Sequence, residues 1–236
     1  RSGRVTGVQT CALPILGSGV DVQTLEEFVD SGNNLLLAGD SRSREVVHDV
    51  AKTIGVELFP YGSSAIDHIN KDVSGGKHDP TRIVLDGTAS LIECDTIVGT
   101  VEKPILYKGT TLAIAEESEL LFKAMVGADT TYSGYLGSNA ESPQTSGAGS
   151  NLVVAMQARN NARVVVAGSV DMFSDEYFVA TVKTAAGNPT PTGNADLCNA
   201  LAMWTFKDSG LIEASNVRHF LAETQETPSV YTIMQN

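Results

Sequence analysis

Cysteine is scarce in this chain, basic residues are outnumbered, and no long apolar run occurs. The 236 residues hold three cysteines. One of them, Cys11, sits in an opening segment that is set aside below. Cys94 and Cys198 are too few for a disulfide framework or a zinc cluster. An oxidising compartment would let them pair, but two buried free thiols are the expectation. Lys and Arg number 16 against 28 Asp and Glu, for a net charge of -12. Without Arg1 and Arg4 that charge is -14. Such a balance excludes a nucleic-acid binder, whose Lys and Arg must displace counterions from phosphates. It gives no support for docking on an anionic membrane surface either. No apolar run approaches the roughly 20 residues of a spanning helix. There is no Asn-X-Ser/Thr acceptor, since Asn188-Pro189-Thr190 is blocked by its proline.

What is present begins with a segment that carries no fold information. Residues 5–15, Val-Thr-Gly-Val-Gln-Thr-Cys-Ala-Leu-Pro-Ile, read codon for codon as a translated sequencing-library adapter, and Leu16 permits the adapter's last base. Residues 1–15 are therefore excluded as a fusion scar. On this reading the natural N-terminus precedes Leu16. The far end, Val230-Tyr231-Thr232-Ile233-Met234, reads as the start of a strand. About 220 residues remain, and an apolar content of 42% allows a proper core.

The patterning predicts alternating helices and strands. Asp21 is placed to cap a helix with Val22, Leu25, Phe28 and Val29 on one face, ended by Gly32. Residues 34–38 form a continuous apolar run, as in a strand buried on both faces. Ser41 is placed to cap a second helix through Val46, Val47, Val50, Ala51 and Ile54, closed by Gly55, and Val56 to Phe59 returns as a strand. Helix, strand, helix, strand at this spacing predicts crossover connections and a parallel sheet. Residues 81–85 and 110–114 read as strands, 117–128 as a helix, and 137–150 as an exposed loop. A hairpin joins 152–157 to 163–167 through a turn in which Asn tolerates positive φ. Ser174 should cap a helix through Phe178 and Val182, and a last helix should run from Asn194 to Lys207. Gly210 then opens a linker.

The search for chemistry finds no assembled site. Residues 37–41 turn from a strand into a helix, where free amides could face an anion, but no Gly-x-Gly-x-x-Gly or P-loop lysine is present. Gly168-Ser169-Val170-Asp171 lacks the second Gly of a nucleophile elbow, which leaves Ser169 without its setting. Cys94 lies between Glu93 and Asp95, and Cys198 lies inside a helical stretch; neither setting activates a thiol. His48, His68, His78 and His219 lack the spacing of a metal site. Glu116-Glu117 reads as an acidic first helical turn. Arg159 and Arg163 bracket the hairpin turn. They either present guanidinium forks to a partner or tie down local carbonyls and Asp171 or Asp175, and the second reading is favoured.

Met156 to Val164, Met-Gln-Ala-Arg-Asn-Asn-Ala-Arg-Val, continues into Gly168-Ser169-Val170-Asp171-Met172-Phe173-Ser174-Asp175. This closely resembles the oligosaccharyltransferase 48 kDa subunit family. Collinear matches are Ala65 to His68, Thr96 to Gly99, Pro104 to Gly109, Thr192 to Asn194 and Trp204 to Phe206. The resemblance runs from about residue 17 to the end. It implies a flavodoxin-like, glutamine-amidotransferase-like α/β domain over residues 16–209, without the catalytic cysteine. It further implies that the first strand-helix-strand unit is missing, and that residues 210–236 begin a β-rich module. It implies a non-catalytic, single-pass subunit in the endoplasmic reticulum membrane, largely luminal, with a C-terminal membrane helix beyond this chain. The complex moves a preformed glycan from dolichyl diphosphate to Asn in Asn-X-Ser/Thr. Its catalysis and metal ion belong to a catalytic subunit, alongside ribophorins and the defender-against-cell-death subunit. No catalytic, cofactor-binding or metal-ligating residue is carried over, and no cofactor is expected. Two other readings remain: an amidotransferase-like or hydrolase enzyme of the same fold, and a module binding sugar or lipid diphosphate.

Overall fold

A computed structural model describes residues 21–209, apart from 60, 77, 92–96, 100, 115–119, 136–144 and 186. The first helix, α1 (Val22–Asp30), starts as its sequence dictates. The Asp21 carboxylate accepts the Thr24 amide at 2.8 Å and the Thr24 hydroxyl at 2.7 Å, which satisfies donors that the first helical turn cannot. Gly32, at φ +87°, turns the chain into β1 (Leu35–Ala38). Then come α2 (Glu45–Thr53), β2 (Val56–Leu58), β3 (Ser64–Ile66), β4 (Ile83–Leu85), β5 (Ile105–Tyr107) and β6 (Leu112–Ile114). They are followed by β7 (Leu121–Val126), β8 (Tyr132–Gly134), β9 (Asn151–Gln157) and β10 (Arg163–Ala167). A 3₁₀ turn at Asp171–Phe173 leads to α3 (Asp175–Phe178), β11 (Thr181–Val182), β12 (Thr190–Pro191) and α4 (Asn194–Thr205).

The main sheet has the order β1-β10-β9-β6-β2, with β7 also paired to β9. Among the described strands the β1–β10 pair alone is parallel; every other pairing is antiparallel. The α/β class holds, but the expected run of parallel strands does not. β1 and β2 lie at opposite ends of the order and run in opposite directions, so α2 does not connect parallel neighbours. β3 with β8, β4 with β5 and β11 with β12 form three small antiparallel ribbons.

The sheet is covered on both faces. One face sets Leu36, Ala38, Val165 and Ala167 against Leu197, Leu201 and Trp204 of α4. The other sets Leu37, Val164, Val166 and Val154 against Val29 of α1 and Val47, Val50 and Ala51 of α2. Adjacent residues of β1 and β10 thus point into different cores, the period-2 consequence of a pleated strand. Each such side chain taken fully out of water contributes about 1.5–3 kcal/mol. That is why β1, and β10 after Arg163, are apolar rather than alternating.

Three local expectations are corrected. Ser41 does not cap α2, which starts four residues later, at Glu45, behind Arg44. The Ser41 hydroxyl instead donates to the Ser63 carbonyl. Residues 121–126 of the expected 117–128 helix form strand β7, and 115–119 lie outside the described residues. A register shift between Lys123 and Met125 lets Ala124 and Met125 both turn inward. A bulge breaks the period of two and mimics helical spacing. The helix after Ser174 ends at Phe178, and Val182 belongs to β11.

Candidate functional site

The place to look for chemistry in such a fold is the carboxyl end of its strands. Here β1 and β10 end side by side in Gly39-Asp40 and Gly168-Ser169. That end is filled by the chain itself. The Thr110 amide donates to the Gly168 carbonyl at 2.7 Å, and the Ala65 amide to the Gly109 carbonyl at 2.8 Å. A methyl group on Gly109 would overlap the Gly168 carbonyl oxygen, and one on Gly168 would overlap the Thr110 carbonyl oxygen. These two glycines let backbone meet backbone where a ligand would otherwise sit.

Ser169 is fully buried and occupied at both ends. Its hydroxyl donates to the Lys108 carbonyl at 2.6 Å and accepts the Met172 amide at 3.1 Å. It closes the 3₁₀ turn, and its proton is committed to a backbone carbonyl. The Tyr107 hydroxyl donates to the Thr110 carbonyl. Burial, with the Asp40 charge added, holds that phenol well above its ordinary pKa. At the other strand end, the Asp40 carboxylate accepts the Arg42 amide at 2.7 Å. The turn thereby supplies its own anion to one of its amides.

Asn194 joins this junction from the first turn of α4. It is fully buried. Its Oδ1 accepts the Leu106 amide at 2.8 Å, while Nδ2 donates to the Leu106 carbonyl at 2.8 Å and the Met172 carbonyl at 3.4 Å. One side chain therefore completes the edge of β5 and ties it to the 3₁₀ turn. The motifs around 104–109, 168–175 and 192–194, separated in sequence, meet here.

Other polar residues are engaged with one another. The buried Asp67 carboxylate accepts from Ile69 N, Asn70 N, Asn70 Nδ2, Thr130 Oγ1 and Thr131 Oγ1, at 2.7–3.1 Å. Burial pushes its pKa up, but the donors from Asn70, Thr130 and Ile69 outweigh this and hold it below the usual value. Arg82 reaches Asp72 at 3.0 Å and Glu176 at 3.4 Å, and lies over the Tyr177 ring. His68 stacks on Tyr132, with Nε2 3.0 Å from its hydroxyl. His48 is half-buried and His78 exposed. Among the described residues no group of His, Cys, Asp and Glu could hold a metal ion. Cys198 is free and buried, and burial pushes its thiol up to about 12, opposite to a reactive thiolate. Cys94, Glu116, Glu117 and His219 lie outside the described residues.

Arg163 is the residue whose role differs most from expectation. Only 1% of it is exposed. Its guanidinium donates to the carbonyls of Trp204 at 2.6 Å and Ser209 at 3.0 Å, and lies 5.0 Å from the centre of the Trp204 ring. It ties down carbonyls, but distant ones rather than local ones or Asp171 or Asp175. Arg159 is exposed. Asn194 and Asp67 were quoted only as parts of motifs. Their roles emerge from contacts across 88 and 63 residues, which no local spacing encodes.

Comparisons with known proteins show the family. The family described as OST48, N-terminal domain, matches residues 13–208. The dolichyl-diphosphooligosaccharide–protein glycosyltransferase 48 kDa subunit of Drosophila melanogaster is 36% identical over 234 residues, covering 92% of this chain and 52% of its own length. The Arabidopsis thaliana protein of the same name is 36% identical over 226 residues, covering 92% of this chain and 50% of its own. The chain thus spans about half the length of the curated relatives it matches. Among solved structures, the mmIFT52 N-terminal domain superposes with a TM-score of 0.54 at 11% identity, over 84% of this chain and 72% of that one. That likeness concerns the fold alone. With its N-terminal-domain match spanning residues 13–208, the chain belongs to the family of the oligosaccharyltransferase 48 kDa subunit.

Proposed function

We propose that the whole protein is a non-catalytic subunit of the oligosaccharyltransferase complex. In this role it supports assembly and the transfer of a preformed glycan from dolichyl diphosphate to Asn in Asn-X-Ser/Thr. Catalysis and the metal ion reside on another subunit. The partners are that catalytic subunit, the ribophorins and the defender-against-cell-death subunit. The domain faces the lumen of the endoplasmic reticulum, and a C-terminal helix outside this chain anchors the protein. Family membership supports the reading. The observation that carries its non-catalytic part is the filled strand end, where Gly109 and Gly168 bring backbone against backbone and Ser169 is fully engaged. An amidotransferase-like or hydrolase reading needs an open nucleophile at that place and is not favoured.

The domain organisation belongs to the same proposal. Residues 16–209 form an α/β domain whose mixed sheet is completed by a strand-helix-strand unit outside this chain. Among the described strands β1 ends the sheet order, although helices cover both its faces. A strand so covered suits the interior of a sheet better than its edge. Residues 210–236 open a β-rich module. The test is to recover the tagged full-length protein from microsomes. It should remain with the membrane after alkaline extraction and bring glycan-transfer activity with it. Recovery as a soluble protein without that activity overturns the reading.

A further inference from the structure

The turn between β9 and β10, residues 158–162, touches the ends of two helices that lie on opposite faces of the sheet. On one side Asn160 Nδ2 donates to the carbonyls of Val29 at 2.9 Å and Asp30 at 2.8 Å, the last turn of α1. Its Oδ1 accepts the Ala162 amide at 3.0 Å, which holds the side chain in place. On the other side the Arg163 guanidinium reaches the Trp204 carbonyl in the last turn of α4 and the Ser209 carbonyl beyond it. The Arg163 amide also donates to Asn34 Oδ1 at 3.0 Å, fixing the entry into β1. Helix carboxyl ends carry unsatisfied carbonyls and partial negative charge. An amide and a guanidinium are the donors those ends require.

The α4 end shows why the guanidinium matters. After Thr205 the chain reverses through Lys207 at φ +64°, with Lys207 N donating to the Trp204 carbonyl and both Asp208 N and Ser209 N donating to the Met203 carbonyl. Both bonds come from the one nitrogen Nη1, which bridges the helix end and the outgoing chain at once. We propose that this turn is a two-sided clamp and that Arg163 is the positioning residue that sets the direction in which the chain leaves the domain after Ser209. Asn160 fixes the opposite helix layer. The turn thereby sets the exit of the chain relative to both layers of the domain.

The test is amide hydrogen exchange on the full-length protein in its detergent-solubilised assembly, comparing wild type, Arg163→Lys and Asn160→Ala. Arg163→Lys keeps the charge but on a shorter side chain that stops short of the Nη1 position, and exchange over 203–209 should rise about tenfold while 28–33 stays as in wild type. Asn160→Ala should do the reverse. Exchange within β9 and β10 should change in neither. If Arg163→Lys leaves 203–209 unchanged, or if both variants raise exchange uniformly across the domain, the clamp is wrong and Arg163 is only core filling.

Discussion

Replacing Asn194 by Asp tests the junction with a change of one group and almost no change of shape. Asn194 is fully buried, and its Nδ2 donates to two carbonyls, Leu106 and Met172. In the Asp variant an ionised oxygen would face those same carbonyls with no donor between them. Its position at the start of α4 offers an ionised group about 0.3–1 kcal/mol from the helix dipole. Desolvation and the two carbonyls oppose it and are worth several times that. The carboxyl is therefore expected to stay protonated in the fold, with its pKa raised above the unfolded value of about 3.9. A raised pKa means that the folded state binds the extra proton. The variant is thus closest to wild type below about pH 4 and loses stability as the pH rises toward the folded value. At about 1.4 kcal/mol per unit, the loss relative to wild type is about 1.5 kcal/mol at pH 5 and up to about 4 kcal/mol at pH 7. Pulse proteolysis of the full-length protein in urea should show the midpoint falling by about 1–2 M at pH 7, and less at pH 5. An unchanged midpoint at pH 7, or a loss independent of pH, refutes the reasoning.

Three further outcomes are expected. Gly168→Ala forces a methyl group against the Thr110 carbonyl, with the Tyr107 hydroxyl 2.6 Å away, and should cost about 2–3 kcal/mol in the same assay; a cost under about 0.5 kcal/mol would contradict the close packing. Asp67 has a lowered carboxyl pKa, so its stabilisation is present above about pH 4 and lost as the pH falls through the folded value. The gap between wild type and Asp67→Asn should therefore narrow from pH 6 to pH 3, and a constant gap would count against it. Ser169→Ala and Cys198→Ala should leave the rate of glycan transfer per assembled complex nearly unchanged, whereas a hundredfold loss, the scale of removing a catalytic donor, would mark either as catalytic.

The elements that were legible in sequence are those with local causes. Asp21 caps α1 through its own neighbour Thr24, and Asn161, at φ +68°, makes the hairpin turn. β1, and β10 after Arg163, are apolar because helices cover both faces, and that pattern reads directly. What failed has non-local causes. The bulge in β7 makes a strand look helical. The direction of β2 depends on its pairing with β6, more than 50 residues away, and helix-strand alternation says nothing of it. That Ser169 lacks the second glycine of a nucleophile elbow was legible. The reason the strand end is closed was not, because it rests on Gly109 meeting Gly168 across the fold. Arg163 was singled out from its place beside the turn. Its partners Trp204 and Ser209, 41 and 46 residues on, could come only from the structure.

The most direct measurement compares glycan transfer to an Asn-X-Ser/Thr acceptor peptide by two preparations of the full-length protein. One is the complex captured from microsomes through this protein, and the other is the protein stripped of all other subunits. The account predicts transfer by the captured complex and none by the stripped protein, with activity returning when the other subunits are added back. Transfer by the stripped protein alone would contradict it.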